Sequence, residues 1–337
     1  MSMKLLIICG PTATGKTDLG IYLARKFHGE IISADSRQVY QKMDIITGKD
    51  IAENSEFIPI KLKIANDKLS VGYRLKEEIP IWLVDIAGIE YAFNVGEYTK
   101  IASRVIEDIS SRGNLPIIVG GTGLYIKSLL YPLQMVTIPP NQKLRGRLSK
   151  LDREGLKKYL QKINHRKWLS MNHSDRMNPR RLIRAIEITL STKSSSSFDI
   201  NTKQYLSNKD ALIIGLTLPK DKLNQRIDER INKRMNEGVL EEAQEILQKN
   251  PSYNLPSLSS TGFPQLKNYL DGKVSLSDTI LQWQSAEHAF AKRQLTWFKS
   301  MKAIYWYDVS QKNYLKKIER SVKKWYTAIR LTSSQDN

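Results

Sequence analysis

Residues 10–17 read GPTATGKT: a glycine, four residues, then Gly-Lys-Thr. That is the spacing of a phosphate-binding P-loop. The glycines let backbone N–H groups converge on an anion, and the helix that follows adds the positive end of its dipole. Gly10, Pro11, Thr12, Ala13, Thr14 and Gly15 would form the cradle, Lys16 would add a point charge, and the Thr17 hydroxyl can ligate Mg²⁺. Other groups are candidates to share the site. Asp35 ends an apolar run, where a carboxylate can hold Mg²⁺ through water, take a proton from a nucleophile, or cap the next helix. Asp85 ends another run and in a kinase or ATPase would be the Mg²⁺-binding aspartate. Gly120-Gly121-Thr122-Gly123 is a glycine-rich turn. Arg226 and Arg230 lie four apart on one helix face; they can reach a diphosphate, or be an ordinary solvated pair. These residues leave open whose phosphate the loop holds.

The flanking elements suit the motif. KLLIIC (4–9) is a short apolar run that reads as a buried parallel strand, and TDLGIYLARKF (17–27) has helical spacing. EIISAD (30–35), IPIWLVDI (79–86), LPIIVGG (115–121), ALIIGLTL (211–218) and IYWYDV (304–309) read as further strands. Helices are expected over 95–113, from Thr122 onward, and over 221–248; residues 50–78 give no clear pattern. Strands alternating with helices predict an α/β fold, a P-loop NTPase-like parallel sheet flanked by helices, with ligands at the carboxyl ends of the strands. The pattern breaks at Pro139-Pro140. Residues 139–207 read as an inserted all-helical domain, closing on the serine-rich stretch 191–203 as a flexible linker. Residues 1–138 and 208–330 are then two parts of one core, with 331–337 as a disordered tail.

The chain carries 53 basic and 34 acidic side chains, a net charge of +19. The excess is concentrated: residues 139–190 hold 14 basic against 4 acidic, and residues 281–330 hold 11 against 3. Two basic segments on a near-neutral body point to a polyanion larger than a nucleotide. In AKRQLTWFK (291–299) cations interleave with Trp297 and Phe298, a composition that suits unstacked bases, although both rings can equally be core. The single cysteine, Cys9, excludes an internal disulfide and suits a reducing compartment. The four histidines show no metal-ligand spacing. No apolar run approaches the roughly 18 residues of a membrane span, and the N-terminal run is too short for a signal peptide, so a cytoplasmic protein is expected.

Together these stretches resemble the tRNA dimethylallyltransferases, also called tRNA isopentenyltransferases. The likeness is carried by GPTATGKT (10–17), DSRQVYQKMDIITGK (35–49), FNVGEY (93–98) with PIIVGGTGLY (116–125), NPRRLIRAIEI (178–188), QRIDERI (225–231) and AKRQLTWFK (291–299). It implies that the loop holds the diphosphate of dimethylallyl diphosphate. The prenyl group would go to N6 of the adenine 3′ of the anticodon. The resemblance gives Asp35 the role of general base, Thr122 a place where base and prenyl donor meet, and Arg226 a place on the diphosphate. It sets Asp35, Ser36, Arg37, Gln38, Thr122, Arg145, Arg180, Arg181, Leu182, Ile183, Arg184, Arg293 and Gln294 against the tRNA anticodon stem-loop, with Mg²⁺ as cofactor and a monomeric protein. Two places depart from the family pattern: Pro80-Ile81-Trp82 stands where Pro-His-His is usual, and Thr261-Gly262-Phe263-Pro264 replaces a Gly-Tyr segment. No Cys/His-rich tail like the zinc finger of some eukaryotic members occurs. An adenylate prenyltransferase, a small-molecule kinase and a non-enzymatic RNA-binding NTPase are the alternatives; none of them needs both basic segments and the block at Asp35.

Overall fold

A computed structural model describes residues 4–49, 51, 55–60, 68–131, 133, 138–194, 210–249 and 255–327. The stretch 195–209, much of 50–67 and the expected tail 331–337 therefore lie outside the described residues. The chain forms two compact units: Met1–Leu130 with Tyr205–Asn337, and Tyr131–Gln204.

The larger unit is built on an eight-stranded sheet in the order β3-β4-β5-β2-β6-β1-β7-β8. The strands are β1 (Leu5–Cys9), β2 (Gly29–Ser33), β3 (Ile58–Pro59), β4 (Gly72–Lys76), β5 (Ile79–Trp82), β6 (Leu115–Gly120), β7 (Ala211–Thr217) and β8 (Ile304–Asp308). β5, β2, β6, β1, β7 and β8 run parallel; β4 is antiparallel to both neighbours. Every residue of β1 has no exposed surface, as expected of a parallel strand covered on both faces. Cys9 ends that strand, and burial pushes its thiol up to about 12, which suits a packing role rather than a reactive one.

Two expectations need correction, and one stretch without a clear pattern gains a structure. The strand expected over 79–86 stops at Trp82, because Leu83 and Asp85 adopt left-handed backbone (φ 63° and 56°) that a strand cannot continue. The stretch 50–78, which gave no clear pattern, contributes β3 and β4, and β4 forms a hairpin with β5. There Trp82, in the place of the usual histidine, donates to buried Glu30 at 2.8 Å. The long helix expected over 221–248 is two helices, Lys220–Asn236 and Val239–Lys249, broken at Gly238 (φ 92°), a backbone angle that favours glycine.

The smaller unit is helical. Its helices Gln142–Leu148, Arg153–Ile163, His165–Ser170 and His173–Arg176 are each N-capped by an Asn or Asp side chain, from Asn141, Asp152, Asn164 and Asn172. Such caps supply an acceptor to N–H groups the helix leaves unmet. With Pro179–Ser194 they enclose a separate core of Leu144, Leu148, Leu156, Leu160, Met171, Leu182, Ala185 and Ile186. Ser191–Ser194, expected as linker, complete that last helix. Glu187 is fully buried and takes Arg145 through two bonds (3.0 and 2.8 Å), the Asn141 N–H and Arg184. Burial alone would raise its pKa; the bonds from Arg145, Asn141 and Arg184 outweigh it, and the carboxyl sits below its usual range. A carboxyl depressed by folding stabilises above its unfolded pKa and loses that contribution as pH falls through the folded value. Glu187→Gln should therefore cost about 3 kcal/mol at neutral pH and remove part of the acid sensitivity. Amide-exchange protection over 142–190, followed against pH in the full chain, measures both; identical profiles for variant and parent would refute it.

Candidate active site

The P-loop leaves β1 at Gly10 (φ 141°), where a Cβ would overlap the Leu216 carbonyl of β7. Ala13 (φ 60°) and Gly15 (φ 79°) are both left-handed, and the helix Lys16–Phe27 starts directly behind them. These turns wrap the loop round a helix N-terminus, an arrangement that favours an anion. The Thr14 hydroxyl donates to the Pro11 carbonyl at 2.9 Å, and Lys16 Nζ donates to the same oxygen at 2.6 Å.

Asp35 follows β2 by two residues. Its Oδ1 accepts the Arg37 N–H at 2.8 Å and the Gln38 N–H at 3.4 Å. The capping role and a proton-accepting role are thus compatible, since the turn uses a single carboxylate oxygen. Thr122 joins this segment to β6: its N–H donates to the Ala34 carbonyl at 3.0 Å, and its Oγ1 accepts the Ser36 N–H at 3.0 Å.

Both segments open on one cavity of about 1220 Å³ in the larger unit. Its wall includes Thr12, Ala13, Gly15, Lys16, Thr17, Asp35, Ser36, Arg37, Gln38, Thr122, Arg226, Arg230, Arg293 and Gln294. Gly10, Pro11 and Thr14 shape the loop from behind and are not part of the wall. Arg230 is braced, donating to Thr12 Oγ1 at 3.1 Å and to the Gly48 carbonyl at 2.9 Å. That carbonyl also takes Gln38 Nε2 at 3.1 Å. Arg37 is turned to the Pro256 carbonyl and to Ser259 Oγ.

Sequence reasoning missed several wall residues. Lys233 and Arg234 continue the face of Arg226 and Arg230 at i+7 and i+8, a spacing that was legible in the helix. Arg234 is buried within 3.8 Å of Glu287, which also accepts the Thr261 hydroxyl at 2.9 Å. Glu242, on the next helix, accepts the N–H groups of Asp44, Ile45 and Ile46 at 2.8 to 2.9 Å, fixing the turn that leads to Gly48. Burial raises its pKa despite those bonds. No local motif announces either residue.

Several assignments change. Asp85 is no phosphate-site carboxylate: it is buried between Lys49 and Arg74, which also hold Asp44, and both its oxygens are engaged. Gln294 has its amide occupied by the protein, accepting the Thr12 N–H at 2.9 Å and donating to the Gly121 carbonyl at 3.1 Å. It ties the P-loop to the glycine-rich turn at the cavity wall. In the helical unit, Leu182 is fully buried and Ile183 packs against the core, so Leu182 offers no surface. Arg180 is exposed, Arg181 pairs with Asp175 at 2.5 Å, and Arg145 and Arg184 hold Glu187.

A sequence profile described as IPP transferase matches residues 38–301, most of the chain. The chain belongs to the IPP transferase family. The P-loop and Asp35 precede the matched segment. Among curated relatives, tRNA dimethylallyltransferase 1 of Geotalea daltonii is 35% identical over 312 residues, covering 91% of this chain and 92% of that protein. The tRNA dimethylallyltransferase of Alkaliphilus oremlandii is 35% identical over 316 residues, 92% and 93% of the two chains. A crystal structure of the full-length tRNA isopentenylpyrophosphate transferase from Bacillus halodurans aligns with TM-score 0.67 and 29% identity, over 98% of this chain and 99% of that one. A eukaryotic dimethylallyltransferase described as acting on tRNA aligns with TM-score 0.75 and 25% identity, over 97% and 80%. The chain thus shares its fold and its family with enzymes that carry a prenyl-transfer name.

Proposed function

We infer that the protein transfers a dimethylallyl group from dimethylallyl diphosphate to N6 of the adenine 3′ of the anticodon in tRNA. The observation that carries this is the single cavity where the P-loop, Asp35, Thr122 and Arg226 meet, in a chain whose relatives are named for that transfer. The P-loop amides, Lys16 and Arg226 hold the diphosphate. N6 attacks the allylic carbon, the carbon–oxygen bond breaks, diphosphate leaves, and the N6 proton passes to Asp35. Donors fixed round the leaving group lower the barrier because charge develops there. The adenine must leave its stack to reach this depth, and the basic surfaces support a large RNA rather than a free nucleotide.

Among the described residues no group of three or more His, Cys, Asp or Glu side chains could hold a metal, while the Thr17 hydroxyl lines the cavity. That donor set fits Mg²⁺ carried chiefly by substrate phosphate oxygens and water, with Thr17 as the protein ligand. When bound, the ion would offset charge on the diphosphate. No helix among the described residues is long and apolar enough to cross a membrane. The lone cysteine, buried at Cys9, suits a reducing compartment.

The test is transfer of radiolabel from dimethylallyl diphosphate, with Mg²⁺, to unmodified tRNA, AMP and ATP in parallel. Label in tRNA alone is expected. Label in AMP or ATP would make it an adenylate prenyltransferase, and phosphoryl transfer without prenyl transfer a kinase.

A further inference from the structure

The helix Leu276–Lys299 presents Phe290, Arg293 and Trp297 to the cavity, at i, i+3 and i+7. The pair Trp297-Phe298 divides sharply: Phe298 is fully buried, whereas Trp297 is 39% exposed at the cavity wall. The Trp297 indole lies so close to Gly123 that a Cβ at that position would overlap the ring. Gly123 adjoins Thr122, which is bonded to Ser36 beside Asp35. The indole is therefore set on the acceptor side of the cavity. Cations border the aromatic faces: Lys127 Nζ is 6.0 Å from the Trp297 ring, and the Arg293 guanidinium is 5.8 Å from that of Phe290.

Neither Lys127 nor Arg293 makes an ion pair among the described residues. A flat, half-exposed indole beside such cations matches a nucleotide pulled out of its stack, with the base on the ring and the phosphate near the ammonium. A prenyl tail needs the apolar face but gains nothing from the charges. We propose that Trp297 is a stacking platform for the nucleobase next to the adenine that is modified, with Lys127 and Arg293 beside the adjoining phosphates. This rests on tRNA being the acceptor.

Two anticodon stem-loop RNAs carry 2-aminopurine at the 5′ or the 3′ neighbour of the target adenosine; stacking quenches its emission. Wild-type protein and W297F should quench one of the two, and W297A should not. W297L, which keeps the bulk but lacks an aromatic face and so protects against a folding artefact, should behave like W297A. In both non-aromatic variants KM for the RNA should rise about tenfold or more, with KM for dimethylallyl diphosphate unchanged. Equal quenching by W297L and wild type at both labels would overturn the proposal. So would a raised KM for dimethylallyl diphosphate at unchanged RNA affinity, which would make the indole a cover for the prenyl group. Turnover of the stem-loop by wild-type protein, measured alongside, separates failure of the platform from failure of the acceptor assignment.

Discussion

Asp35→Asn is expected to lower kcat for prenyl transfer by about 10² to 10⁴, the range for loss of a positioned general base, while tRNA affinity stays near that of the parent. Asparagine is the informative replacement. Oδ1 of Asp35 accepts the Arg37 and Gln38 N–H groups, and an amide oxygen can keep those bonds. Asp35→Ala removes the base and the turn acceptor together, so it should also loosen Arg37 and Gln38 and weaken RNA binding. The difference between the two variants isolates proton transfer from positioning. Single-turnover rates with saturating RNA give the first quantity, and titration with labelled RNA gives the second. An asparagine variant with parental kcat would end the general-base assignment and leave Asp35 as a cap.

What the sequence made legible follows from how local the cause is. β1, β2, β6 and β7 are buried parallel strands, and their unbroken apolar runs announce them. The P-loop is equally plain, because eight consecutive residues carry both the chemistry and the turn. The β4–β5 hairpin was hidden by Arg74, a buried arginine that looks like a surface residue until Asp44 and Asp85 are brought to it. The same cluster explains why Asp85 looked like a metal ligand: a strand-end aspartate reads the same whether it faces phosphate or a buried lysine. Gln294 and Trp297 lie more than 170 residues beyond Gly121 and Gly123. Their tasks exist only after the helix Leu276–Lys299 docks against that turn. Glycine is needed at both positions for this close approach, so the glycines were visible in the sequence but not what they make room for.

Arg226→Ala should lower kcat by about 10² to 10³, the scale for removing one donor from a developing anion. It should also weaken inhibition by inorganic diphosphate and leave KM for tRNA unmoved. The contrast with Arg230 gives the reason. Arg230 has N–H groups committed to Thr12 and Gly48, so it braces the loop as well as charging it. Arg226 is exposed at the same wall and makes no ion pair among the described residues, so its fork is available to the diphosphate. An interaction that strengthens as the carbon–oxygen bond breaks acts on kcat rather than on substrate binding alone. Arg226→Lys restores a charge without the two-pronged geometry and should recover part of the rate. Arg230→Ala should instead disturb the Thr12 and Gly48 segments, lowering the melting midpoint along with activity. If Arg226→Ala kept full kcat and undiminished diphosphate inhibition, the charge that stabilises the leaving group would have to come from the P-loop and Lys16 alone. Lys233 and Arg234 would then be the next residues on that helix face to replace.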